Sequence, residues 1–315
     1  MQISNGYTVH LLEGLYCYLR RLLFKVLCVG TVPNHIAFIM DGNRRFAKKN
    51  NLAEGEGHKA GFSALLSILR YCYELGVKYV TVYAFSIDNF RRKPKDVQIL
   101  MELMRQKIEE LLQQESIINE YGVRLHFIGN ISMLSEPVRV AVDKAMRVTA
   151  HNNHRVLLIC VAYTSRDEMV HAVYQSCKQK WSHLNGEEPS KAVKNGGIGI
   201  NSAQLDSFSA LKGIEDKVEK HSVPPPSSCS LIELVDFERN MYMAVAPDPD
   251  ILIRTSGEAR LSNFLLWQAG TCPLYAPSSL WPEIGLRHLV LAVLNFQKYH
   301  HYLENKKEKK KHKNF

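Results

Sequence analysis

The stretch that decides the fold is Ile36-Ala-Phe-Ile-Met-Asp41-Gly-Asn-Arg-Arg-Phe-Ala47, in which an apolar run stops at an acid. The run is long enough for one buried strand, and a helix-like segment follows it. Ligands gather at the carboxyl ends of strands in open α/β sheets, and Mg²⁺ is usually held by one or two carboxylates together with substrate phosphates. Asp41 with its two arginines therefore predicts a metal and diphosphate site, while a solvated strand-to-helix turn is the competing interpretation.

Apolar, β-branched runs alternate with segments of helical period along most of the chain. Strands are predicted at 35–40, 79–85, 123–128, 156–162, 250–254 and 274–276. Helices are predicted at 57–75, from Pro94 onward, and at 136–152, 165–178 and 283–303. Such alternation is typical of a parallel sheet that is covered on both faces. We therefore predict an α/β fold with a single central, mostly parallel six-stranded sheet flanked by helices.

Three segments differ in composition from the predicted main domain, which spans 31–304. Residues 1–30 carry leucines at helical spacing beside basic residues, which predicts an amphipathic helix that either lies at a membrane surface or docks on a partner protein or on the protein's own core. Residues 179–243 contain a glycine cluster and three consecutive prolines, and this composition predicts a mobile insertion. Residues 305–315 are rich in lysine and predict a basic, disordered tail.

The composition argues against several classes of protein. The net charge of +9 is concentrated in the tail, without interleaved aromatic residues, so nucleic-acid binding is not expected. The seven cysteines are odd in number and form no Cys-x-x-Cys pair, which argues against a zinc site and favours a reducing compartment. No segment has the roughly 18 uninterrupted apolar residues that a membrane-spanning helix needs.

Arginines follow the predicted first, second and fifth strands, so they are expected to meet at one edge of the sheet. The planar fork of arginine donates bidentate hydrogen bonds to phosphate oxygens. The number of these arginines suggests two diphosphate groups rather than one. Neither Gly-x-x-x-x-Gly-Lys-[Ser/Thr] nor Gly-x-Gly-x-x-Gly is present, which argues against a nucleotide site. The arginines are Arg44, Arg45, Arg91, Arg92, Arg254 and Arg260.

Six segments in this order carry a resemblance to a known family. They are Asp41-Gly-Asn-Arg-Arg45, Gly57-His-Lys-Ala-Gly61, Tyr83-Ala-Phe-Ser-Ile-Asp-Asn-Phe90, Arg254-Thr-Ser-Gly-Glu258, Arg260-Leu-Ser-Asn-Phe264 and Trp281-Pro-Glu283. The chain resembles the cis-prenyltransferases, which have an undecaprenyl diphosphate synthase-like fold, and among them the eukaryotic dehydrodolichyl diphosphate synthases and plant rubber-type enzymes. The resemblance implies a Mg²⁺-dependent transferase that condenses isopentenyl diphosphate onto an allylic diphosphate such as farnesyl diphosphate, forming a long-chain cis-polyprenyl diphosphate.

The same resemblance implies roles for individual residues. Asp41 would hold Mg²⁺ and assist departure of the allylic diphosphate, with further reaction-promoting polar groups at Asn43, His58, Ser86 and Asn89. The residues implied for binding the allylic diphosphate are Gly42, Arg44, Arg45, Phe85 and Arg92. Those implied for binding isopentenyl diphosphate are Arg254, Arg260 and Ser262. The growing hydrocarbon would need an apolar tunnel, which we expect along the helix that begins at Pro94.

The chain departs from the bacterial homodimeric members of that family in three places. Glu54 stands where arginine is common, Pro273 replaces a second metal-binding glutamate, and the C-terminus lacks an Arg-x-Gly tail. These departures imply a heteromer with a Nogo-B receptor-like partner. The expected location is peripheral, on the cytosolic face of the endoplasmic reticulum membrane. The alternative is a noncatalytic, membrane-associated binding subunit of such an assembly. Subunits of that kind lose the metal aspartate, which this chain retains as Asp41.

Overall fold

A computed structural model of the chain describes residues 4–113, 115–184 and 232–313. The strands are β1 (His35–Ile39), β2 (Tyr79–Tyr83), β3 (Val123–Ile128), β4 (Arg155–Cys160), β5 (Ile251–Arg254) and β6 (Leu274–Tyr275). The helices are α1 (Ser4–Leu27), α2 (Asn43–Lys49), α3 (Glu54–Leu75), α4 (Pro94–Gln113), α5 (Glu115–Ile118), α6 (Glu136–Val148), α7 (Ser165–Leu184), α8 (Leu234–Arg239) and α9 (Leu286–Lys313). Short 3₁₀ turns join several of them, including Ile87–Arg91 and Trp281–Glu283.

The six strands form one sheet in the order β3-β4-β2-β1-β5-β6, and every neighbouring pair is parallel. The predicted fold class is therefore confirmed, and the sheet is parallel throughout. All side chains of β1 and β5 are buried. This is why apolar residues follow one another in both strands (36–39 and 251–253) rather than alternating with polar ones. The parallel arrangement places the ends of β1, β2, β4 and β5 at one edge.

The helices that flank the site follow local sequence signals. α3 packs Ile68, Leu69 and Cys72 into the core and ends at Gly76, whose φ of 102° is left-handed, as the sequence predicts. α4 begins at Pro94, where a missing N–H costs nothing, and buries Met101, Ile108 and Leu111. The buried side chains of these two helices belong to the largest cluster of buried apolar residues, which covers one face of the sheet.

The edges of the predicted insertion contain ordered structure, so its boundaries are narrower than 179–243. α7 continues to Leu184, and α8 lies within the other edge. Lys180 pairs with Asp236 at 2.9 Å, and the side chain of Met243 is buried. These contacts are long-range, which explains why local composition did not reveal them. Residues 185–231, which include the glycine cluster and the three prolines, lie outside the described residues.

Both ends of the described chain are helical. α9 runs to Lys313, so residues 305–313 are helical where the composition predicts disorder. Buried Val293 and Phe296 anchor α9 on the core. Beyond that anchor the chain contains no Gly or Pro, so each added residue extends the helix at little cost in free energy. α1 buries Phe24 and Leu27, and Arg20 pairs with Glu74 of α3 at 2.8 Å. None of the described helices combines the length and apolarity needed to span a membrane.

Candidate active site

The backbone of Asp41 is held immediately after β1 by two other segments. Its carbonyl oxygen accepts hydrogen bonds from Thr255 Oγ1 at 2.6 Å and from the backbone N–H of Trp281 at 3.0 Å. Its own N–H donates to Thr255 Oγ1 at 3.1 Å. The loop after β5 and the turn at Trp281 therefore fix the direction in which the carboxylate leaves the sheet.

The Asp41 carboxylate is shared between two arginines. Arg254 Nη2 donates to Oδ2 at 2.8 Å, and Arg45 Nη2 donates to Oδ1 at 3.1 Å. Partial burial raises the pKa of Asp41, but the hydrogen bonds from Arg254 and Arg45 outweigh it and hold the pKa below its ordinary value. The carboxylate is therefore ionised, and it keeps 29% of its side-chain surface exposed.

Arg254 connects this carboxylate to the loop that follows β5. Its Nη1 donates to the carbonyl oxygen of Arg260 at 2.7 Å and to the hydroxyl of Ser262. Arg45 Nη2 also donates to Ser256 Oγ at 2.6 Å. Ser256 and Ser262 have φ values of 75° and 48°, which non-glycine residues rarely adopt. The loop is thus held in a strained conformation around the buried guanidinium group.

The glycines of Gly57-His-Lys-Ala-Gly61 allow α3 to approach α2 closely. A Cβ at Gly57 would lie 2.3 Å from the carbonyl oxygen of Asn43, and one at Gly61 would lie 2.1 Å from Asn43 Oδ1. Asn43 Oδ1 is buried and accepts no hydrogen bond from the described residues. A buried acceptor without a donor is costly, so this oxygen marks a position where a ligand or a water would donate.

A cavity of about 340 Å³ opens beside these groups. Its polar part, called the mouth below, is formed by Asp41, Asn43, Arg44, His58, Asn89 and Arg92. Most of the remaining wall is apolar, and its members on helices and strands include Phe62, Leu65, Val82, Leu100, Leu103, Met104, Ile108, Leu111, Phe127 and Ile159. The cavity therefore joins a cationic opening to a hydrocarbon-like interior, as a ligand with an anionic head and an apolar tail requires.

The family model described as "Putative undecaprenyl diphosphate synthase" matches residues 39–303. The chain belongs to this family. The resemblance to cis-prenyltransferases is thereby confirmed, and the protein is a prenyl-transferring enzyme of the polycis-polyprenyl diphosphate synthase type.

Relatives match nearly the whole of this cis-prenyltransferase. Dehydrodolichyl diphosphate synthase 6 of Arabidopsis thaliana is 53% identical over 96% of both chains. Rubber cis-polyprenyltransferase HRT2 of Hevea brasiliensis is 51% identical over 98% of this chain and 99% of its own. The human dehydrodolichyl diphosphate synthase complex subunit DHDDS is 35% identical over 94% of this chain and 76% of its own.

A solved structure supports the same fold. Lavandulyl diphosphate synthase from Lavandula x intermedia, crystallised with dimethylallyl diphosphate, matches with a TM-score of 0.64 at 26% identity. The match covers 84% of this chain and 95% of that one.

Most of the residues expected in the site of this cis-prenyltransferase lie together. The cavity is lined by Asp41, Asn43, Arg44, His58, Phe85, Asn89 and Arg92. Arg45 and Arg254 donate hydrogen bonds to the Asp41 carboxylate, and the Ser262 hydroxyl accepts one from Arg254. Gly42 forms the turn into α2 with a left-handed φ of 117°. A Cβ there would lie only 3.0 Å from Leu280, so the turn requires glycine.

Three expected residues, Ser86, Asn89 and Arg260, have partners elsewhere in this structure. Ser86 Oγ accepts from the N–H of Asp88 at 3.2 Å and caps the following 3₁₀ turn, while Asn89 Oδ1 accepts from the N–H of Ser86 at 2.9 Å. The Arg260 side chain is 67% exposed and pairs with Glu258 at 3.3 Å, so only its carbonyl oxygen contacts Arg254. The chemical roles implied for these three residues, as for the other site residues, remain predictions.

Thr255, Ser256 and Lys107 contribute to the site but were not among the expected site residues. Thr255 and Ser256 directly follow Arg254, and their hydroxyls at a strand end were the signal that could have identified them. Lys107 lines the cavity from α4. It lies one turn after Leu103 and Met104 on the apolar face of that helix, so helical spacing places it there.

The donor set fits a magnesium ion that is bound partly by substrate. Within 4–113, 115–184 and 232–313, no cluster of three or more His, Cys, Asp or Glu residues has an arrangement suited to a metal. Mg²⁺ needs only one or two carboxylates when substrate phosphates complete its coordination. The ionised and partly exposed Asp41 meets that requirement. Pro273 supplies no carboxylate, and its carbonyl oxygen accepts from the N–H of Leu252 at 3.0 Å within the sheet.

Proposed function

We propose that this cis-prenyltransferase adds isopentenyl diphosphate to an allylic diphosphate such as farnesyl diphosphate, and that repeated additions yield a long-chain cis-polyprenyl diphosphate of dehydrodolichyl or rubber type. One observation carries the proposal. The Asp41 carboxylate, which Arg45 and Arg254 contact, lies at the mouth of a cavity whose interior is apolar. One cavity thus combines charged groups that could bind diphosphates with an apolar wall that could contact a hydrocarbon chain.

The cationic side chains of the mouth suit the chemistry of the reaction. When an allylic diphosphate ionises, negative charge develops on the departing oxygens and positive charge on the allyl group. Fixed donors aimed at the departing oxygens stabilise that charge, and Arg44, Arg45 and Arg92 are placed to serve as such donors. Phe85 lines the cavity beside them and supplies an apolar contact for the allyl chain.

Asp41 would hold the magnesium ion. Bound Mg²⁺ acts as a Lewis acid that stabilises the charge of the leaving diphosphate. Arg45 and Arg254 neutralise the carboxylate in this structure, and a bound diphosphate would offer their guanidinium groups further anionic partners. The buried Nε of Arg254 has no partner among the described residues.

Turnover of defined substrates tests the proposal. The chain would be incubated with farnesyl diphosphate, radiolabelled isopentenyl diphosphate and Mg²⁺, and the products would be sized by chromatography. We expect cis-polyprenyl products that disappear when Mg²⁺ is chelated or when Asp41→Ala is introduced. If the Asp41→Ala protein supports the same synthesis in the presence of a partner, the chain is instead the noncatalytic binding subunit.

We further propose a heteromer with a Nogo-B receptor-like subunit. Glu54 and Pro273 support it, as does the name of the human relative, which is a complex subunit. The test compares turnover by the chain alone with turnover after co-expression. Full activity of the isolated chain would contradict this part of the proposal.

The proposed location is the cytosolic face of the endoplasmic reticulum membrane. The outer side of α1 exposes Tyr18, Leu22 and Val26 beside the basic Arg21 and Lys25, which suits an interfacial helix. Sedimentation with anionic vesicles would test direct lipid binding, with Leu22→Glu as the variant expected to weaken it.

A further inference from the structure

The direction of the Arg45 guanidinium group depends on its hydrogen bonds. Its side chain is 51% exposed, so packing leaves the group room to turn. Its Nη2 donates to Asp41 Oδ1 at 3.1 Å and to Ser256 Oγ at 2.6 Å. The shorter of the two bonds is the one to Ser256. Whatever holds Ser256 in place therefore also directs Arg45.

Ser256 belongs to a strained turn that a neighbouring segment supports. Ser256 and Gly257 have left-handed φ values of 75° and 74°. The N–H of Ser256 donates to the carbonyl oxygen of Ser279 at 2.7 Å, and the N–H of Gly257 donates to that of Pro277 at 2.8 Å. A non-glycine residue keeps such a conformation only where its surroundings over-determine it. Residues 277–279 supply that support, so the position of this segment matters to the turn.

His288 reaches this segment from the first turn of α9. Its ring is buried, and Nδ1 accepts from the N–H of Gly285 at 3.1 Å. Burial lowers the pKa of His288, and the charge of Arg287 lowers it further, so the neutral ring is favoured. Because Nδ1 accepts, the neutral ring carries its proton on Nε2. Nε2 lies 2.9 Å from Ser279 Oγ and therefore donates to that hydroxyl.

The two ring nitrogens of His288 have different tasks. Gly285 directly precedes α9, and His288 is the third residue of that helix. Acceptance of the Gly285 N–H by a side chain at this position is one half of a capping box, which stabilises the helix end. Stabilising α9 thus requires only Nδ1. The bond from Nε2 to Ser279 adds nothing to the cap, so it has a separate consequence.

We propose that His288 is a positioning residue for the Arg45 guanidinium group, and through it for the allylic diphosphate. The connection runs from His288 to the Ser279 side chain, from the Ser279 carbonyl oxygen to Ser256, and from the Ser256 hydroxyl to Arg45. The inference rests on the proposed function, in which Arg45 binds that diphosphate. A donor that is held in place before the ligand arrives binds it more tightly, because less freedom is lost on binding.

Two substitutions of His288 separate positioning from capping. His288→Asn keeps an acceptor near the place of Nδ1 but loses the donor to Ser279, whereas His288→Gln places an amide N–H near Nε2. Ser279→Ala removes the same hydrogen bond from its other end. His151→Asn, in the exposed turn before β4, is the matched control. The readouts are kcat of the first condensation, the KM values for farnesyl and isopentenyl diphosphate, and the melting temperature.

We expect His288→Asn and Ser279→Ala each to raise the KM for farnesyl diphosphate about fivefold, which corresponds to the loss of one hydrogen bond. The double variant should be no worse than either single one, because both remove the same bond. The kcat and the KM for isopentenyl diphosphate should hardly change, since Arg254 is held by Asp41 and Ser262 instead. His288→Gln should keep the wild-type KM values while its melting temperature falls, and His151→Asn should match the wild type throughout.

A wild-type KM for farnesyl diphosphate in Ser279→Ala or His288→Asn would overturn the positioning role. Equal rises in His288→Asn and His288→Gln would overturn it as well, because they would follow the helix end rather than the bond to Ser279. Should His288→Asn fail to fold, Ser279→Ala carries the same test without touching the cap. Failure of the wild type to perform the first condensation would instead overturn the proposed function.

Discussion

Arg254 Nη2 lies 2.8 Å from Asp41 Oδ2, although the two residues are 213 positions apart. The contact joins the ends of the adjacent parallel strands β1 and β5. The Arg254 side chain is only 4% exposed, so the Asp41 carboxylate is the main group that offsets the cost of burying its positive charge. The same pair that neutralises charge in this structure defines the place where anionic ligands would be bound.

Asp41→Asn should reduce kcat/KM by about 10²–10³-fold, the range found when one group that stabilises developing charge is removed. The amide keeps the shape of the side chain but loses the negative charge that would hold Mg²⁺. Incorporation of labelled isopentenyl diphosphate measures the effect. Asp143→Asn on the exposed face of α6 is the matched control and should be neutral. More than a tenth of wild-type activity in Asp41→Asn would argue against its role.

Gly61→Ala should lower activity, whereas Gly55→Ala on the same helix should not. The new Cβ at Gly61 would lie 2.1 Å from Asn43 Oδ1, while nothing lies within 4 Å of a Cβ at Gly55. Displacing a group of the mouth by about 1 Å can cost up to about 10²-fold in rate. Gly55→Ala should stabilise the protein slightly, because alanine favours the helix by up to about 1 kcal/mol. Equal activities of the two variants would contradict the inferred close packing.

Asn263 should act as a positioning residue for the Arg254 loop. Its carbonyl oxygen accepts from the N–H of Ser165 at 2.8 Å, and its Oδ1 accepts from the N–H of Arg166 at 3.1 Å. Its φ of 58° is one that glycine also adopts readily. Asn263→Gly therefore removes the side-chain hydrogen bond without adding backbone strain.

We expect Asn263→Gly to raise the KM for isopentenyl diphosphate about tenfold, which corresponds to the free energy of one lost hydrogen bond. The kcat should stay within twofold of the wild-type value. The KM for farnesyl diphosphate should hardly change. Asn263→Ala should have a larger effect, since it adds backbone strain. An equal rise in both KM values would indicate a general structural defect instead.

His35 should make the free energy of unfolding depend on pH. Its ring is buried between Thr81 Oγ1 at 2.7 Å and the carbonyl oxygen of Pro247 at 2.6 Å, and burial lowers the pKa of His35 to about 4. The native state therefore favours the neutral ring. Its stabilising contribution is complete above the unfolded pKa of about 6.5 and is lost as the pH falls towards 4, by about 3 kcal/mol in total.

Denaturant titrations at several pH values between 7 and 4 would measure this dependence. The wild type should lose stability more steeply than His35→Gln as the pH falls. Burial raises the pKa of Glu168, which acts in the opposite direction, but that residue is present in both proteins and cancels in the comparison. Parallel curves for the two proteins would show that His35 does not contribute.

The strands, most helices and the edge of the sheet that carries the site could be predicted from local patterns. β1 is a buried apolar run that stops before Asp41, and its neighbours follow the same pattern. The glycines of Gly57-His-Lys-Ala-Gly61 marked a functional segment. Only the tertiary structure shows why glycine is needed at positions 57 and 61, because Asn43 packs directly against both. Local composition failed at residues 305–313, because a helix anchored upstream can continue through a charged segment.

The identity of the charged and polar groups at the sheet edge was determined by the sequence, since each follows a strand or begins a helix by a local rule. Which of them touch was decided only by the tertiary structure. The pairing of Asp41 with Arg254, the capping role of Ser86 and the reach of Lys107 to Phe62 depend on strand register and on how α3 and α4 lie on the sheet. Those relationships come from packing between distant segments, and no short stretch of sequence encodes them alone.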